Sequence, residues 1–154
     1  ELDFPAKPEE SAAPLPGLAE ALGISILYVC KNKFDYLVEV DSEEVVRNLK
    51  PDFSRLREIE ARGVIVTSRS KTAPYDFISR FFAPRVGVNE DPVTGSAHCF
   101  LGPYWAKRLG KNEFFAYQAS ARGGEIGVQL SGAERRTERR IRVPRAHRVD
   151  LRPA

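Results

Sequence analysis

Methionine is absent from the 154 residues, histidine and cysteine occur twice each, and tryptophan once. Cys30 and Cys99 lie far apart with no Cys-x-x-Cys spacing, which excludes a disulfide framework and the common zinc motifs. Both read as buried thiols. The two histidines add no short-range pairing, so no metal is expected. No apolar run approaches the roughly 18 residues that span a bilayer. The opening ELDFPAKPEE lacks the charged and apolar leader of a secreted chain, so a cytoplasmic protein without membrane contact is expected. Neither the Gly-Lys-Ser of a Walker loop nor a GxGxxG fingerprint is present, and no cofactor is expected. A chain that lacks methionine and starts at Glu1 points to a fragment, a processed form or an incomplete gene reading.

What is present is globular in composition: 42% hydrophobic and 29% charged residues, within the range of one soluble domain. The net charge of +3 is unevenly spread. From Ala133 onward eight arginines face three acids, a net of +5, so residues 1–132 carry −2. The basic pI belongs to the last 22 residues and does not make the domain a nucleic-acid binder.

Along the chain, LDFPA reads as a strand and the Pro- and Ala-rich stretch after it as a linker. A short helix over Leu18 to Leu22 stops at Gly23. SILYVCK and FDYLVEV (25–31 and 34–40) read as a β-hairpin, with Asn32 expected at the positive-φ position of its turn. Helices follow over Glu43 to Leu49, capped by Asp41 or Ser42, and over Phe53 to Ala61. VIVTS (64–68) and FISRFFA (77–83) are strands, the second alternating Phe77, Ser79 and Phe81 against Ile78, Arg80 and Phe82. The stretch RVGVNEDPVTG reads as a loop. A helix is expected from Ser96 to about Leu109, with a kink or break at Pro103, then strands in EFFAYQAS and EIGVQL. Helices and strands mix without a βαβ alternation, so the fold class is α+β.

Chemistry concentrates in EDPVTGSAH, residues 90–98, which sets an acid and a tight bend ahead of a helix. Pro92 fixes φ, Gly95 admits close approach of a ligand to the backbone, and a helix N-terminus has unpaired amide hydrogens that favour anions. A carboxylate or phosphate would sit on the amides of Gly95, Ser96 and Ala97, with Thr94 and the Ser96 hydroxyl beside it and Asp91 orienting an amine or hydroxyl. The same residues also fit a plain Asp-Pro turn with a Thr94 or Ser96 helix cap.

The run RFFAPRVGVNEDPVTGSAHCFLGPYW, with the later QASARGGEIGVQL, resembles the C-terminal lobe of the PhzF family, the phenazine-biosynthesis-like isomerases. The resemblance implies a diaminopimelate epimerase-like lobe, a mixed sheet wrapped around a central helix. It also implies cofactor-free proton transfer that isomerises a small anionic metabolite in biosynthesis, and makes a homodimer plausible. Carried over, Asp91 and Ser96 match the family's cleft-facing acid and serine, the catalytic assignments here. Gly95 matches the turn glycine, and Gly123 and Gly124 match a later glycine pair with no assigned role. Neither Glu90 nor another acid matches the proton-transferring glutamate, which belongs to the N-terminal lobe. The expected organisation is therefore residues 1–15 as the last strand of an otherwise missing N-terminal lobe plus linker, 16–132 as the C-terminal lobe, and 133–154 as an Arg-rich tail of doubtful structure.

Thr94, Gly95, Ala97, His98 and Arg80 complete the expected substrate site. For His98 a packed or hydrogen-bonded helix residue is the favoured reading over ligand contact, and Arg80 either pairs with Asp91 or the substrate or lies on a solvated strand face. Two rival functions remain on sequence grounds. One is a catalytically inactive binding or regulatory protein that associates through its exposed lobe face. The other is nucleic-acid binding by the tail, disfavoured because no aromatics interleave its arginines.

Overall fold

Local capping chemistry sets several of the helix ends. The computed structural model describes residues 2–5, 9–131 and 140–143, with side chains over 9–130. Helix α1 (Leu18–Leu22) ends at Gly23, whose positive φ only glycine adopts without strain. Ser42 accepts from the Val45 amide to open α2 (Glu43–Asn48), with Glu43 and Glu44 in the first turn. Asp52 accepts from Ser54 and Arg55 to open α3 (Phe53–Glu58). Helix α4 (Gly95–Leu109) stops at Gly110 and runs unbroken through Pro103, so the expected break does not occur.

The strands are β1 (Leu2–Pro5), β2 (Glu10–Ser11), β3 (Tyr28–Lys31), β4 (Asp35–Glu39), β5 (Gly63–Arg69), β6 (Phe77–Ala83), β7 (Val88–Asp91), β8 (Glu113–Gln118), β9 (Gly124–Ser131) and β10 (Arg140–Val143). They form one sheet in the order β1-β10-β9-β8-β6-β5-β4-β3-β2, with β7 paired to β6. All pairs are antiparallel except β4 with β5 and β6 with β8. Each parallel pair needs a crossover, supplied by α2 and α3 for the first and by β7 and α4 for the second. The fold is α+β with a mixed sheet.

Because side chains alternate along a strand, the sheet buries two cores. One face holds Leu37, Ile65, Phe77, Phe81, Ala116 and Ile126 against Phe100, Leu101, Tyr104 and Trp105 of α4. The other holds Val38, Val64, Val66, Ile78 and Phe82 against α1, α2 and α3. Each fully buried Phe or Leu contributes ~2 to 3 kcal/mol by burial. The α4 face is also tied by polar contacts at inward strand positions: Trp105 Nε1 donates to Thr67 Oγ1 at 3.1 Å, and the Tyr104 hydroxyl donates to Glu39.

Two further expectations are corrected. Asn32 does not take a positive φ; its side-chain oxygen instead accepts from the amides of Phe34 and Asp35, closing the hairpin turn without glycine. The presumed loop before the bend contains a 3-10 turn (Pro84–Val86) and β7. Residues 140–143 of the Arg-rich tail form β10, which joins β9 to β1, so β1 and β10 extend the same sheet as the lobe. The linker residues 6–8, most of the Arg-rich stretch and His147 lie outside the described residues. Among the described residues, no helix is long and apolar enough to cross a membrane.

Candidate functional site

Strand β7 delivers the chain to the front of α4 with Asp91 opposite Phe81 of β6. Phe81 belongs to the α4 core, so Asp91 lies on the α4 face and its neighbour Glu90 on the other. The four residues Asp91, Pro92, Val93 and Thr94 then bend the chain into the helix. Thr94 stands at the N-cap position but makes no side-chain cap. Its hydroxyl donates instead to Asp91 Oδ2 at 2.6 Å.

Gln118, the last residue of β8, clamps the bend from beneath. Its amide oxygen accepts from the Thr94 backbone N–H at 2.8 Å, and its Nε2 donates to the Asp91 carbonyl at 2.8 Å and to Thr94 Oγ1 at 3.2 Å. Ser120 donates to the Pro92 carbonyl at 2.8 Å, and Gly124 leaves room for Val93, which a Cβ there would overlap. The role of the Gly123–Gly124 turn is therefore to let the β8–β9 connection close against the bend.

With the Thr94 hydroxyl turned away, the amides of Gly95, Ser96 and Ala97 find no acceptor among the described residues. Gly95 and Ser96 are half-buried, while Ala97 is buried beneath them. The accessible donors are thus two amides and the Ser96 hydroxyl, at the positive end of a 15-residue helix. Ser96 Oγ lies 3.4 Å from Nη2 of Arg62, from which it accepts, leaving its own proton to donate. Arg62 in turn forks onto the fully buried Asp35, with Nε 2.9 Å from Oδ1 and Nη2 2.5 Å from Oδ2. The hydrogen bonds to Asp35 hold the guanidinium pKa above its ordinary value.

Two expected site residues lie elsewhere. Arg80 faces the α1–α3 side with Ile78 and Phe82. There it pairs with both oxygens of Glu90, at 2.7 and 2.8 Å, and donates to the Leu49 carbonyl behind α2 at 2.7 Å. The alternation of β6 and β7 therefore excludes the Arg80–Asp91 pair. His98 is wholly buried and stacked on Phe77. Its Nδ1 lies 2.8 Å from the Thr94 carbonyl, an acceptor only, so Nδ1 carries the proton and Nε2 has no partner among the described residues. Burial lowers its pKa from 6.5 to about 4. It supports the bend from inside and does not reach its outer surface.

The residues that sequence reasoning missed are Gln118, Ser120, Arg62 and Asp35. A signal existed for two of them: Asp35 and Gln118 are polar residues at inward positions of strands, where a partner is obligatory. Three cavities lined by described residues lie away from the bend. Among the described residues no three His, Cys, Asp or Glu side chains are placed to hold a metal ion.

Comparison with known proteins shows the family. The family described as phenazine biosynthesis-like protein, PhzC-PhzF, matches residues 8–145. An uncharacterized isomerase of Halalkalibacterium halodurans is 58% identical over 131 residues, which is 84% of this chain and 49% of that protein. An uncharacterized isomerase of Pseudomonas aeruginosa is 53% identical, over 85% of this chain and 49% of its own length. A crystal structure of a PhzF-family phenazine biosynthesis protein from Enterococcus faecalis superimposes with a TM-score of 0.83 at 38% identity, covering 92% of this chain and 52% of that one. The chain spans about half the length of the curated relatives it matches.

Proposed function

The chain belongs to the phenazine biosynthesis-like PhzC-PhzF family, and on that footing we propose that it is one lobe of a cofactor-free isomerase, holding the anionic end of a small metabolite on the bend from Asp91 to Ala97. The observation that carries this reading is the pair of half-buried amides of Gly95 and Ser96, which have no acceptor among the described residues because Thr94 is engaged by Asp91 and Gln118. Proton-transfer isomerisation needs a base able to take a proton from carbon. At the bend, Glu90 is committed to Arg80 and Asp91 accepts from Thr94. Asp91 keeps a second oxygen with which to orient a substrate amine or hydroxyl. The acid–base glutamate that the family resemblance implies is, in this proposal, supplied by polypeptide outside residues 9–131. Cytoplasmic location and pairing into a homodimer belong to the same proposal.

The test is incorporation of solvent deuterium into carboxylate substrates. Exchange is expected when this lobe is joined to a partner lobe from a full-length relative, and lost or strongly reduced there by Asp91→Asn and Ser96→Ala with the fold retained. Equal exchange by this chain alone overturns the division of labour, and full activity in both variants reduces the bend to a helix cap. The rival reading, an inactive protein that associates through its surface, draws on the exposed apolar side chains of Phe34, Val86 and Val88. It requires a stable complex without exchange.

A further inference from the structure

The placement of Arg62 follows from sheet register. Strands β4 and β5 run parallel with Asp35 level with Gly63, so Arg62, one residue earlier, lies beside the Asp35 carboxylate. Gly63 is required between them: a Cβ there would overlap the Phe81 ring and come within 3.3 Å of Asp35 Oδ1. Asp35 uses the Nε and Nη2 edge of the guanidinium, whose Cζ lies over the Phe34 ring, 5.3 Å from the ring centre. These contacts fix a planar cation whose orientation would otherwise cost entropy.

A group that only neutralised Asp35 would need nothing beyond that edge. Here the side chain stays 36% exposed, Nη2 also turns to Ser96, and Nη1 makes no hydrogen bond or ion pair among the described residues. Nη1 is on the side of the guanidinium away from the Nε edge, so an anion meeting it is nearer to the cation than to Asp35. We propose that Arg62 is a further binding residue of the bend, donating through Nη1 to the carboxylate held on the Gly95 and Ser96 amides, with Asp35 as its positioning residue. The inference rests on the anion-binding reading above and deepens it: the site selects carboxylates over their neutral amides because a fixed positive charge stands beside the helix end.

The experiment is an amide NMR titration of the full chain with sodium acetate at fixed ionic strength, with acetamide as the uncharged control. In the parent protein the Gly95 and Ser96 amides are expected to shift saturably with acetate and far less with acetamide. Arg62→Gln is expected to weaken acetate about tenfold or more, the value of a charge-assisted hydrogen bond, leaving acetamide unchanged. Because Arg62→Gln strands a buried carboxylate, the double variant Asp35→Asn/Arg62→Gln, which keeps a neutral hydrogen-bonding pair, carries the same expectation in a folded background. Parent-like acetate affinity in the double variant, with affinity lost in Ser96→Ala, overturns the role of Arg62 and leaves the bend as an anion site. No acetate response in the parent protein overturns both.

Discussion

Lowering the pH from 7 to 5 should weaken this fold through His98. The ring is fully buried, donates from Nδ1 to the Thr94 carbonyl and stacks on Phe77, so a second proton would have to sit on Nε2, which no described polar group faces. Burial accordingly lowers its pKa from 6.5 to about 4. The unfolded chain takes up a proton below about pH 6.5 and the native chain does not, so the unfolded state binds more protons and stability rises with pH. The contribution is complete above pH 6.5 and is lost as the pH falls toward 4. At ~1.4 kcal/mol per pH unit the whole interval is worth ~3 kcal/mol, of which ~2 kcal/mol is gone by pH 5. Urea unfolding at pH 7, 6 and 5 measures this, and His98→Phe, which preserves the stacked ring, should abolish most of the slope. Imidazole nitrogen shifts should show the Nδ1–H form persisting at pH 5. A parent protein with flat stability over that range, or an equal slope in His98→Phe, would refute a buried neutral imidazole and reopen His98 as a titrating group of the site.

Arg80→Ala leaves Glu90 and the Leu49 carbonyl without their partner and should cost ~3 kcal/mol in urea unfolding; acetate binding at the bend should survive wherever the variant is folded, since Arg80 lies on the opposite face of the sheet. Gln118→Leu removes the three hydrogen bonds that Gln118 makes to the bend, and should cost ~2 kcal/mol while also weakening acetate at the Ser96 amide. Unchanged binding in a folded Gln118→Leu protein would show that the bend holds its shape without the clamp.

Helix ends were legible in the sequence because their chemistry is local. Ser42, Gly23 and Gly110 act within four residues of themselves, and each stood where a cap or stop was expected. The hairpin was equally legible, although Asn32 takes no positive φ there and its side chain reinforces the backbone bond from its amide to the Asp35 carbonyl. Strand β7 was hidden because it is four residues long with a half-exposed pattern, and it decides which of two adjacent acids meets Arg80. Strand β10 was hidden for a compositional reason: Arg140–Val143 alternates Arg, Ile, Arg, Val, a period-2 pattern masked by the arginines around it.

Most of the site, by contrast, was encoded in a rule that acts at a distance. A polar group turned inward on a strand must find a partner, and strand parity decides on which face. Asp35 shares parity with Leu37, and Gln118 with Phe114 and Ala116, all in the α4 core; Arg80 shares parity with Ile78 and Phe82, in the other. Parity alone thus sends Asp35 and Gln118 toward the helix that carries the bend and sends Arg80 away from it. The pairings realised are Asp35 with Arg62, Gln118 with Thr94 and Arg80 with Glu90. Sequence spacing misleads here because Arg80 and Asp91 are 11 positions apart while Asp35 and Arg62 are 27, yet only the distant pair shares the face of α4. The geometry of the bend, on which the proposed anion site rests, is therefore set less by the Asp-Pro-x-Thr-Gly-Ser run itself than by two inward polar residues of remote strands, one engaging Thr94 and Asp91, the other holding Arg62 beside Ser96.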